Sequence, residues 1–134
     1  MSRHAGADLS TVVYDASIAA DAEKKLAPKA HPITKDGALK VGAEFAALVR
    51  ERIDSDAIIY VFGSTIKGEA KLDSDIDIAV VSQTYGNDVM GAYVELSLLA
   101  ELVNWDIEVH SVAPVDWQKG DPHVHEILKW GVQI

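Results

Sequence analysis

The sequence predicts an α/β (α+β) domain, a small β-sheet packed with helices, and three stretches carry that prediction. Ile58–Phe62 is a short β-branched and aromatic run of the composition expected of a buried strand. DIDIAVV from Asp75 and WDIEVHSV from Trp105 to Val112 both open with polar–apolar alternation, the period of a half-buried strand. Segments with helical spacing separate them. At 134 residues the chain is long enough for one domain with its own core.

Residues 8–26 place Leu9, Val12, Val13, Ala16, Ala19, Ala20 and Leu26 at near-helical spacing, with Asp8 or Ser10 as cap and Pro28 as stop. This amphipathic helix and the linker after it form an N-terminal extension over 1–33, ahead of a main domain over 34–134. Thr34 caps a second helix over 35–53, with Leu39, Ala43, Ala46, Ala47, Val49 and Ile53 inward. The Ile58–Phe62 strand follows, broken by Gly63-Ser64. A connection over 68–72 leads to the second strand, and QTYGND after Ser82 is a polar turn. A third helix over 88–103 turns Val89, Tyr93, Leu96, Leu99, Ala100 and Val103 inward, leaving Glu95 and Glu101 in solvent. On the third strand Trp105, Ile107 and Val109 share one side and Asp106, Glu108 and His110 the other. Residues 114–120 read as a loop. Asp121-Pro122 then starts a last helix with Val124, Ile127 and Leu128 inward and Gly131 as terminator. His123 and His125 lie two apart on that helix, a poor metal pair, and are read as surface residues.

Composition narrows the function classes. Apolar residues make up 49% and charged residues 25%, ordinary for a globular domain. With no cysteine, disulfides and thiolate zinc sites are excluded. No apolar run approaches the roughly 18 residues that span a bilayer, and no secretory h-region opens the chain, so the cytoplasm is expected. Net charge is −9, from 21 acidic against 12 basic residues, which disfavours a grip on nucleic acid. Lys67 and Lys71, near the central motif, suit a small triphosphate better than a duplex.

The chemistry concentrates between Ile58 and Ser82. The Gly63-Ser64 turn at a strand end offers a hydroxyl and backbone N–H groups. Asp75 and Asp77 sit two apart at the start of a strand, so both carboxylates face one way. Such a pair repels itself unless a cation intervenes, and Mg²⁺, held by one or two carboxylates and substrate phosphates, is the expected one. Gly63 and Gly68 have the spacing of a phosphate loop, but Glu69 stands where that motif needs lysine. Asp73-Ser-Asp75-Ile-Asp77 begins like a calcium loop, yet Ile78 replaces its glycine and Thr84 its final glutamate.

Gly63-Ser64-Thr-Ile-Lys67-Gly68 followed by Ser74-Asp75-Ile-Asp77 resembles the signature of the DNA polymerase beta-like nucleotidyltransferases, in particular their minimal nucleotidyltransferase (MNT) branch. Where that signature has arginine before the second glycine, this chain has Lys67, a point charge without a two-pronged grip. The resemblance implies a mixed sheet with helices and transfer of a nucleoside monophosphate, AMP from ATP, to a hydroxyl through two Mg²⁺ ions. It implies Asp75, Asp77 and Asp106 as catalytic metal ligands, with Glu108, one strand repeat further along, as the alternative third acid. It implies that Gly63, Ser64 and Lys67 hold the triphosphate, while His110 is read as structural. It further implies an antitoxin that works beside a helical HEPN-type partner and modifies it with AMP. A nucleotidyltransferase fold that neutralises a partner by contact alone, or an aminoglycoside-type adenylyltransferase, are the alternatives. The partners expected are a nucleoside triphosphate, the helical protein, or a second copy of the chain, with no membrane.

Overall fold

The computed structural model describes residues 29–134, and the helix expected over 8–26 lies outside them. In chain order the elements are α1 (Lys35–Arg52), β1 (Ile58–Phe62), a single helical turn α2 (Ser64–Lys67), β2 (Ile76–Val81), α3 (Val89–Val103), β3 (Ile107–Val112), α4 (Pro114–Lys119), α5 (Pro122–Trp130) and a short β4 (Val132–Gln133). The strands form one mixed sheet in the order β3-β2-β1-β4. β1 runs antiparallel to β2 and β4, whereas β2 and β3 run parallel. A parallel pair needs a crossover, and α3 supplies it.

Strand alternation sorts side chains onto two unlike faces. Ile59 and Val61 of β1, Ile76, Ile78 and Val80 of β2 and Val109 of β3 turn to one face, where Phe45 and Val49 of α1 and Leu96 and Leu99 of α3 close over them. Burying each of these side chains contributes about 1.5–3 kcal/mol, so this layer supplies most of the driving force. The opposite face carries a smaller cluster of Phe62, Ala79 and Ile127, with Tyr60 and Trp117 packed against it. That face is only partly covered, and Asp77, Glu108 and His110 stand on its open part. Arg50 closes the far edge by donating to the carbonyls of Ile134 (2.7 Å) and Ala57 (3.2 Å).

Several sequence expectations shift. The buried stripe of α1 is Ala38, Gly42, Phe45, Ala46 and Val49, so Ala43 and Ala47 face solvent. Alanine suits either face, and the bulk of Phe45 decides the rotation. On α3, Ala92, Glu95, Leu96, Leu99 and Ala100 are buried, while Val89 and Tyr93 lie outside. Glu95, expected in solvent, sits inward and accepts a hydrogen bond from the Tyr85 hydroxyl. The expected loop over 114–120 is the helix α4, with Pro114 in its first turn and Gly120 in the left-handed region at its end. Leu128 is exposed, whereas Val124 and Ile127 are buried as expected. β4 is too short to show a period, and only its pairing with β1 defines it.

Gly42 lets α1 approach β1 closely: a Cβ there would lie 2.3 Å from Val61 Cγ2. Gly42→Ala is therefore expected to destabilise the domain by about 1–3 kcal/mol through overpacking, despite the better helix propensity of alanine. Urea unfolding checks this, and a stabilised variant would contradict the close approach.

Candidate active site

The site begins where β1 ends. Gly63 adopts φ +85°, ψ −160°, a conformation open in practice only to glycine. Phe62 pairs with Asp77 across the antiparallel ladder, which sets the aspartate beside the bare Cα of Gly63. A Cβ at that position would lie 2.1 Å from Asp77 Oδ2. The Gly63 carbonyl accepts from the N–H groups of Ile66 and Lys67 (both 3.1 Å), which curls the chain into α2. Gly68, at φ +76°, ends that turn and donates its N–H to the Ser64 carbonyl. Lys67 is thereby carried towards α5, where its Nζ pairs with Glu126 Oε1 at 2.9 Å and lies 5.4 Å from the Trp130 ring centre. That ion pair holds the Glu126 carboxyl below its ordinary range.

The neighbouring acid comes from β3. The parallel register sets Glu108 beside Asp77, and His110 beside Ala79. His110 Nε2 lies 3.0 Å from Asp77 Oδ1. Asp77, Glu108 and His110 each present a ligand atom, all within 4.8 Å of one another. The His110 ring meets Phe62 edge-on at 4.9 Å and leans on His123 at 5.5 Å. Burial first, then the charge and hydrogen bond of Asp77 and the charge of Asp75, push up the Glu108 carboxyl against the opposing pull of His110.

Asp75 precedes β2, is exposed, and shares with Glu108 a cleft of about 420 Å³ along the outer side of β3. Asp106 is not brought into the Asp77–Glu108–His110 group. Continuing the parallel register places it level with Asp75, in the turn ahead of β3, where its carboxylate pairs with Lys29 Nζ at 3.0 Å. Its carbonyl accepts the Ile76 N–H at 2.8 Å. Glu108, named in the sequence as the alternative, is the acid that stands beside Asp77. His110, expected from the sequence to be structural or half-exposed, is half-exposed and stands two residues after Glu108 on the polar side of β3.

The donor set fits a divalent cation. Two carboxylates and an imidazole converge, and a cation between them would relieve the repulsion from Asp77 and Asp75 that adds to burial in raising Glu108. A family model described as Polymerase beta, Nucleotidyltransferase matches residues 49–134, taking in the Gly63-Ser64 corner, the aspartate pair and β3. The match covers well over half of the chain, and the chain belongs to that nucleotidyltransferase family. No curated protein and no solved structure matches it. Among the described residues, no helix is long and apolar enough to cross a membrane.

Because the Glu108 carboxyl is raised in the folded protein, its ionisation costs stability above the ordinary glutamate range and costs nothing well below it. Glu108→Gln is expected to stabilise the metal-free protein at neutral pH by no more than about 1 kcal/mol, the scale of exposed charge pairs. The gain should vanish as pH falls below about 4.3, where glutamate is protonated in both states. Thermal unfolding in chelator across this range checks it, and a gain that persists at low pH would contradict the charge origin.

Proposed function

We propose that this chain transfers AMP from ATP to a hydroxyl group on a partner protein, releasing pyrophosphate. The observation that carries the reading is the seat of Asp77 against Gly63, with Glu108 beside it on the next strand. Phosphoryl chemistry of this kind asks the protein chiefly for alignment and for charge placed where the transition state needs it. Asp75, Asp77 and Glu108 would hold two divalent ions, which would supply Lewis-acid charge to the phosphate and to the attacking oxygen. In this reading Glu108 takes the third-acid role that the resemblance gives to Asp106, and Asp106 serves to seat Lys29.

The Ser64 hydroxyl and the backbone around Gly63 hold the triphosphate tail. Lys67 adds a point charge there once it exchanges Glu126 for phosphate. The acceptor oxygen bonds to the α-phosphorus as the bond to the pyrophosphate oxygen breaks, and Glu108 receives the hydroxyl proton. A protein acceptor is supported by the outer side of α3, where Met90 (72% exposed), Val94 (51%) and Tyr93 (46%) leave apolar surface open. A helical HEPN-type partner, with this chain as its antitoxin, fits that surface and the acidic charge, which does not suit nucleic acid.

With α-labelled ATP, a divalent salt and a lysate of the host, Asp77→Asn is expected to lose at least about 100-fold in label transfer, the scale of removing one charge-stabilising group. Asp106→Asn should keep most of the rate. Transfer by Asp77→Asn at the wild-type rate would overturn the assignment. A mass gain of AMP units on a co-purified helical protein is the expected product, whereas neutralisation of that protein by Asp77→Asn alone would favour contact without chemistry.

A further inference from the structure

We infer that His110 is itself a metal ligand, and that the Asp77, Glu108 and His110 set selects a first-row transition-metal cation over Mg²⁺. The inference concerns the metal of the proposed site and rests on these residues binding a cation, not on nucleotide transfer. Asp77 and His110 already touch through Oδ1 and Nε2 at 3.0 Å. Glu108 and His110 lie two apart on one strand, so both side chains rise from the same side of the sheet towards Asp77.

The spread of the donors suits a single ion. Nitrogen and oxygen ligands stand about 2.0–2.2 Å from such a metal, so opposite donors lie up to about 4.4 Å apart. The three donor atoms here lie within 4.8 Å of one another, and a shift of a few tenths of an ångström would place them on one ion. The imidazole is also prearranged. Phe62 packs edge-on against the ring at 4.9 Å and His123 lies beside it at 5.5 Å, while the His110 side chain keeps 26% of its surface open.

Ligand chemistry then sets the preference. Mg²⁺ takes oxygen donors and keeps much of its water, whereas imidazole suits later first-row ions, whose affinity for mixed nitrogen and oxygen sites rises along the series from Mn²⁺. Two carboxylates already balance the charge of a divalent ion, so a neutral third donor leaves no excess negative charge. The Nε2 atom that meets Asp77 is also the atom a metal would take. The direct Asp77–His110 contact and metal ligation are thus mutually exclusive states of one nitrogen.

Direct binding without nucleotide tests this. Calorimetric titration of the purified chain with MnCl₂, ZnCl₂ and MgCl₂ is expected to give tighter Mn²⁺ and Zn²⁺ binding than Mg²⁺. His110→Asn should lose about 10–100-fold for Mn²⁺ and Zn²⁺ with little change for Mg²⁺. Pulsed electron paramagnetic resonance of the Mn²⁺-loaded wild type should show nitrogen coupling from a bound imidazole, and His110→Asn should lack it. Absence of that coupling in the wild type overturns the inference, as does an equal loss for all three ions, which would make His110 a positioning residue for Asp77. Should His110→Asn fail to fold, the wild-type spectrum decides alone. Asp77→Asn should abolish binding of every ion, and failure of nucleotide transfer would leave each of these readings unaffected.

Discussion

The carboxylate of Asp77 lies where a side chain at position 63 would be, and much of the molecule follows from leaving that space to the acid. The antiparallel pairing of Phe62 with Asp77 brings the two together, and the positive φ of Gly63 lets the chain leave β1 there without a clash. Since the turn into α2 starts at the same residue, Ser64 and Lys67 are placed relative to Asp77 by backbone geometry, not by flexible side chains. A substitution at Gly63 would thus strain the backbone and displace the acid together.

The second constraint is the parallel pairing of β2 with β3. A strand carries side chains of one side every two residues, so a choice of register is a choice of acid. Pairing Asp77 with Glu108 leaves Asp106 level with Asp75 and hands it to Lys29. The same pairing keeps Ile76, Ile78 and Val109 over the apolar layer of α1 and α3. A one-residue slip would put Glu108 into that layer, at a cost of several kcal/mol for an unpaired buried charge. Core packing therefore holds the register that sets Glu108 beside Asp77.

The unequal cover of the sheet completes the site. The face under α1 and α3 is sealed by large apolar side chains. The opposite face is covered by Ile127 and Trp117 beside Phe62 and Ala79, and the polar ends of β2 and β3 stay open there. Lys67, carried away from the strand end by α2, is tied to Glu126 of α5 and not to the acids of β2 and β3.

Much of this was legible in the residues. The strand composition of Ile58–Phe62, the alternation in DIDI, the glycine–serine break and the caps at Thr34 and Asp121 are local signals, and local physics decides them. The face of α1 and the half-exposed start of α3 were not legible, because alanine and valine fit either side of a helix until a neighbour such as Phe45 or Val61 selects one. Choosing among Asp106, Glu108 and His110 was likewise beyond the sequence. Asp106 falls in the turn ahead of β3 while Glu108 and His110 share one side of the strand, and only the register against β2, set by the core on the other face, determines which of them meet Asp77.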